Sequence, residues 1–104
     1  MTQNEYIDKI GKVYAKNLEI SRKKSSDYAT EDQPFKNFEA SLLLGVPLEK
    51  AILVRITDKL MRCANLLDKP PAVAEESILD TLEDICNYSA ILHVYIEEKN
   101  ETQV

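Results

Sequence analysis

Glycine is scarce here: only two occur in 104 residues, Gly11 and Gly45, standing singly. No glycine-rich phosphate loop can be built from them, and the Ser/His/Asp and Cys/His pairings of hydrolases are missing as well. The two cysteines, Cys63 and Cys86, are widely spaced and have no histidine partner in sequence, which excludes a zinc motif and leaves them as reduced core residues. No apolar run approaches the ~18 residues that span a membrane, and the charged, amphipathic first twenty residues carry no secretory signal. A cytoplasmic protein is therefore expected, with no membrane partner. The net charge of -5 leaves no cationic surface for generic binding to nucleic-acid backbone, although a local Arg/Lys group could still hold a small anion.

What is present is helical periodicity. With 44% hydrophobic residues and spacings of three and four almost throughout, the chain reads as all-α, a single compact four-helix domain over residues 1–104. Helices are expected at about 2–24, 35–44, 47–67 and 73–98. In the first, Tyr6, Ile10, Val13, Tyr14 and Leu18 form the inward stripe, and the basic run Arg22-Lys23-Lys24 suits a C-terminus. The segment from Ser25 to Pro34 is expected to be a loop. Phe35, Phe38, Leu42 and Leu43 face inward from the short second helix, Gly45 stops it, and Pro47 fits the first turn of the third. A domain of this length buries only roughly 60 to 70% of its unfolded surface, so a homo-oligomer is expected to add burial.

The third and fourth helices carry the chemistry. At about 100° per residue, Arg55, Asp58, Lys59 and Arg62 share one sector, while Ile52, Ile56, Leu60, Cys63 and Leu67 share another. The fourth helix has the opposite sign. Glu76, Asp80, Glu83 and Asn87 share its polar sector, and Ile78, Leu82, Ile85, Leu92 and Ile96 cover its apolar one.

The ladder of Glu76, Asp80, Glu83 and Asp84 is spaced to share a divalent cation, yet Arg55, Lys59 and Arg62 could neutralise the same charges without one. The guanidinium forks of Arg55 and Arg62 match phosphate oxygens, with Lys59 and Lys24 beside them and Asp58 to orient an arginine or bind a metal. Near Lys24, the phenol of Tyr28 could stack on a base and the carboxylate of Asp27 could accept from a sugar hydroxyl. Asn37 lies between two core phenylalanines. His93 lies towards the apolar side of its helix and reads as a satisfied, half-buried histidine.

Taken in order, Lys24-x-x-Asp27-Tyr28, Phe35-x-Asn37-Phe38, Arg55-x-x-Asp58-Lys59-x-x-Arg62 and Glu76-x-x-x-Asp80-Thr81-Leu82-x-Asp84-x-x-Asn87-Tyr88 resemble a family found largely in bacteriophages. It is the first of the nucleotide-modification-associated domain families. The resemblance implies an all-helical phage protein that acts on nucleotides in the host cytoplasm. The acidic helix also resembles that of MazG-like nucleotide pyrophosphatases, helical oligomers that use magnesium to split a nucleoside triphosphate. Those enzymes pair an EExxE helix with an ExxD helix. This chain has Glu75, Glu76 and Asp80, but only Asp58, amid basic residues, on the opposing helix.

The expected function is accordingly nucleotide binding or processing. Glu76 and Asp80 would activate water, and Glu76, Asp80 and Asp84 would hold magnesium. Arg55, Lys59 and Arg62 would grip phosphates, and Lys24, Asp27, Tyr28, Asn37, Asp58 and Asn87 would complete the nucleotide site. The alternative is a non-enzymatic anti-defence protein that sequesters a nucleotide signal or docks its acidic surface on a host protein.

Overall fold

The computed structural model describes residues 1–28 and 35–102, without the side chains of residues 25–28, 37, 71–76 and 102. These residues are all-helical and contain no strand: α1 (Gln3–Tyr28), a 3₁₀ segment (Lys36–Leu44), α2 (Leu48–Leu67) and α3 (Pro71–Thr102). No helix among them is long and apolar enough to cross a membrane.

α1 starts at a capping box. The Glu5 N–H donates to Thr2 Oγ1 and the Thr2 N–H to Glu5 Oε2, each at 3.2 Å, which satisfies two donors at the helix start. The helix then continues past Lys24 to Tyr28, so Ser25 to Tyr28 are helical rather than the start of a loop. Serine and aspartate are only weakly unfavourable in a helix interior, and no glycine or proline intervenes before Pro34. The basic run at residues 22–24 consequently lies before the last turn, which contains no basic residue.

The 3₁₀ segment explains a second departure. Side chains three apart eclipse one another in this geometry, so Phe35, Phe38 and Ser41 form one line, and Leu42 and Leu43 fall off it into solvent, Leu43 at 89% exposure; Leu44, at the end of the line, is exposed as well. The Ser41 hydroxyl closes the turn on the Phe38 carbonyl at 3.1 Å. Gly45, at φ 72°, ends the segment: its own N–H donates to the Leu42 carbonyl and that of Val46 to the Ser41 carbonyl, both at 3.1 Å. Two edge-on ring contacts fix the segment to α3, Phe35 on Tyr95 at 5.2 Å and Phe38 on Tyr88 at 6.2 Å.

α2 and α3 form an antiparallel hairpin, with Lys99 near the end of α3 donating to Glu49 at the start of α2 at 2.8 Å. That contact raises the Lys99 pKa and lowers that of Glu49, mainly through the hydrogen bond itself. Pro47 caps α2 from one position outside it, and Pro71 begins α3, where its missing N–H has no intrahelical partner to lose. The core lies between these helices and the 3₁₀ segment: Phe38, Leu48 and Ile52, surrounded by Phe35, Ile56, Tyr88, Ile91, Leu92 and Tyr95. It is narrower than the apolar pattern implies. Leu60 and Leu67 of α2, Leu82 and Ile96 of α3, and all five residues of the α1 stripe are exposed. Cys63 is buried and Cys86 is exposed, so only the first is a core thiol; both are free.

Ile52 has no solvent exposure at all. Truncation there removes buried methyl groups and leaves a cavity, so Ile52→Ala should cost about 2–5 kcal/mol in urea unfolding, whereas Leu43→Ala should change the midpoint little.

Candidate functional site

Where α1 crosses α3, the contact is polar. Spacings of four and three put Asn17, Ser21 and Lys24 on one line of α1, and the facing part of α3 offers Glu83, Asp84 and Asn87. Lys16 donates to Glu83 at 2.8 Å, and the Ser21 hydroxyl donates to the Asn87 amide oxygen at 3.1 Å. Lys24 reaches Asp84 Oδ1 at 3.5 Å, while Lys59 of α2 lies 3.0 Å from Asp84 Oδ2. One carboxylate thus joins all three helices. The Glu83 hydrogen bond, reinforced by the Glu83 charge and weakly by Asp80, holds the Lys16 ammonium above its ordinary pKa.

The seam contains unusual burial. Asn17 is 5% exposed and Asn87 7%, yet neither polar atom of the Asn17 side chain nor the Asn87 amide nitrogen has a hydrogen-bond partner among the described residues. Thr81, also buried, donates to the Ser77 carbonyl at 2.6 Å. Asn17 was absent from the expected site, though its signal is readable: it is a polar residue on the line that runs through Tyr6, Ile10 and Val13.

The cationic face of α2 divides. Asp58, Lys59, Arg62, Asn65 and Lys69, with Met61 and Leu66, line an open groove of about 530 Å³. Arg55 instead borders a separate concavity of about 270 Å³ beside Phe38, Ser41 and Val54. Residues 55 and 62 share a sector but stand seven positions apart, or about 10 Å along the axis, too far to act on one phosphate group without a ligand that spans them. Among the described residues, Arg55, Asp58 and Arg62 make no ion pair, so Arg62 is free to meet an anion beside the tethered Lys59.

The acidic ladder is only partly visible. Asp80 is exposed, and Glu83 and Asp84 are engaged by lysines; the side chain of Glu76 lies outside the described residues, as do those of Asp27, Tyr28 and Asn37. No three His, Cys, Asp or Glu residues among those described are grouped to hold a metal ion. His93 is exposed rather than half-buried, and its Nδ1 stands 2.6 Å from Glu97 one turn away, a local surface pair.

Comparison with protein-family models, with curated proteins and with solved structures finds no match to this chain.

A buried amide without partners costs roughly 1–3 kcal/mol. Asn17→Leu should therefore raise the urea midpoint, with helical circular dichroism unchanged; a fall would mean that the amide has polar partners in solution.

Proposed function

We propose that this protein binds the phosphates of a nucleotide along α2, with Lys59 and Arg62 as the gripping pair and Lys69 and Asn65 extending the groove. The observation that carries this reading is the groove itself: Lys59, Arg62 and Asn65 on α2 and Lys69 just beyond its end, with Arg62 in no ion pair among the described residues and Lys59 held by Asp84. Arg62 supplies a planar fork for phosphate oxygens, and Lys59 a compact charge positioned before the ligand arrives. Asp58, one turn from Arg62, lines the same groove.

The resemblance to the phage nucleotide-modification-associated family supports a nucleotide as the source of those phosphates. On that reading Lys24, Asp27, Tyr28 and Asn37 define the sugar or base side and Asn87 completes the site, while Arg55, expected to grip phosphate with Lys59 and Arg62, borders a separate concavity and meets a more distant part of the ligand.

Binding is favoured over hydrolysis by the state of the carboxylates. Magnesium needs several oxygens free to converge on it, whereas both Asp84 oxygens and one of Glu83 are engaged by ammonium groups. The carboxylates described do not fit a magnesium site, so the roles of Glu76 and Asp80 in activating water are not part of this reading. A binder of this kind could sequester a nucleotide signal.

The test is a panel of nucleoside mono-, di- and triphosphates followed by thermal shift, calorimetry and product chromatography, with and without magnesium. Triphosphates should stabilise the protein without turnover. Arg62→Ala should weaken binding about tenfold or more, equivalent to roughly 1.4 kcal/mol, and Asp80→Ala should leave it unchanged. Absence of stabilisation by any nucleotide contradicts the reading, and magnesium-dependent turnover abolished by Asp80→Ala would replace it with hydrolysis.

A further inference from the structure

The concavity beside Arg55 and the phosphate groove share one side of α2. Ala51, Val54 and Arg55 border the first, and Asp58, Lys59 and Arg62 the second. Successive steps of three and one residues, at about 100° each, keep all six on the same side of the helix. From Arg55 to Lys59 is four residues, or about 6 Å along the axis. The two hollows are therefore neighbouring stations along a single helix face.

Their chemistry differs. The concavity is a crevice between α2 and the 3₁₀ segment, which closes it through Phe38 and Ser41, with Val46 just beyond. Its walls are apolar, and Val54, 56% exposed, presents bare surface to whatever enters. The Ser41 hydroxyl already donates to the Phe38 carbonyl at 3.1 Å. Among the described residues lining the crevice, the uncommitted side-chain donor is the Arg55 guanidinium, which makes no ion pair. The volume of about 270 Å³ lies below the ~300–1,000 Å³ of pockets that enclose a whole ligand, so the crevice suits one ring system of a larger molecule.

Apolar walls with a planar fork of donors at the rim define their complement, a flat ring with two adjacent acceptors on one edge. Guanine has that edge in O6 and N7, which an arginine meets with two parallel hydrogen bonds. Adenine sets its N6 amine beside N7, and a guanidinium has no acceptor to offer that amine.

We infer that the crevice is the base subsite of the nucleotide whose phosphates lie at Lys59 and Arg62, and that Arg55 reads the O6/N7 edge of guanine there. This rests on the proposed nucleotide reading and names the part of the ligand that meets Arg55; the sugar falls between the two hollows.

Calorimetry on the full chain with tripolyphosphate, ATP, CTP, ITP and GTP tests it. GTP and ITP, which share the O6/N7 edge, should bind about tenfold or more tighter than ATP and CTP. Arg55→Gln should reverse the order of GTP and ATP, because a glutamine amide pairs with adenine N6 and N7. Val54→Trp, which fills the crevice from an exposed position, should bring GTP down to the level of ATP with helical circular dichroism unchanged. Nucleotides that all bind no better than tripolyphosphate would overturn the base subsite and leave the phosphate reading standing. A guanine preference that survives both variants, or CTP binding as tightly as GTP, would also overturn it. No binding by tripolyphosphate or any nucleotide would remove the phosphate reading and the subsite together.

Discussion

The carboxylate of Asp84 is the only described group that joins α1, α2 and α3. Its two oxygens lie 3.5 Å from Lys24 and 3.0 Å from Lys59, so one side chain on α3 fixes where both other helices bring their positive charge. The α2–α3 hairpin has an apolar core around Ile52 to hold it. α1 has less: its seam with α3 includes the Lys16–Glu83 pair, the Ser21–Asn87 hydrogen bond and the unpartnered Asn17. Single exposed ion pairs contribute little to stability, but charges sharing a partly buried carboxylate form a network in which geometry matters more than count.

That carboxylate also connects fold and proposed function. By holding Lys59, Asp84 places an ammonium beside Arg62 before any anion arrives, and an ordered charge loses less conformational freedom on binding than a free one. The same ion pair occupies oxygens that a magnesium site would need. Local basicity on α2 is compatible with the overall charge of -5, because screening confines a groove's field to roughly 8–10 Å at physiological salt.

Much of the fold was legible in the residues. Pro47 and Gly45 punctuate helices where their backbone constraints require, and the Phe35–Phe38 spacing points inward as expected. The Lys59–Asp84 contact follows from one helix's basic face meeting its neighbour's acidic one. What was hidden has two physical sources. Periodicity shows which face of a helix is apolar, but not whether that face meets this chain or another, so Tyr6, Ile10 and Val13 looked like core and are bare. Local propensity also stops helices weakly: Ser25, Ser26 and Asp27 resemble a loop but extend α1. Asn17 is readable as a polar residue within an apolar stripe, but only its burial shows that it is more than an interruption. Arg55 and Arg62 share a helical sector, which says nothing of the distance between them along the axis.

The most direct measurement is native-state hydrogen exchange with Asp84→Asn beside the unchanged protein. If the Asp84 carboxylate secures α1 to the hairpin, the amides of α1 from Lys16 onward should lose protection, while those around Ile52 and Ile91 keep theirs. Equal protection of α1 in both proteins would contradict the account, placing the attachment of that helix elsewhere.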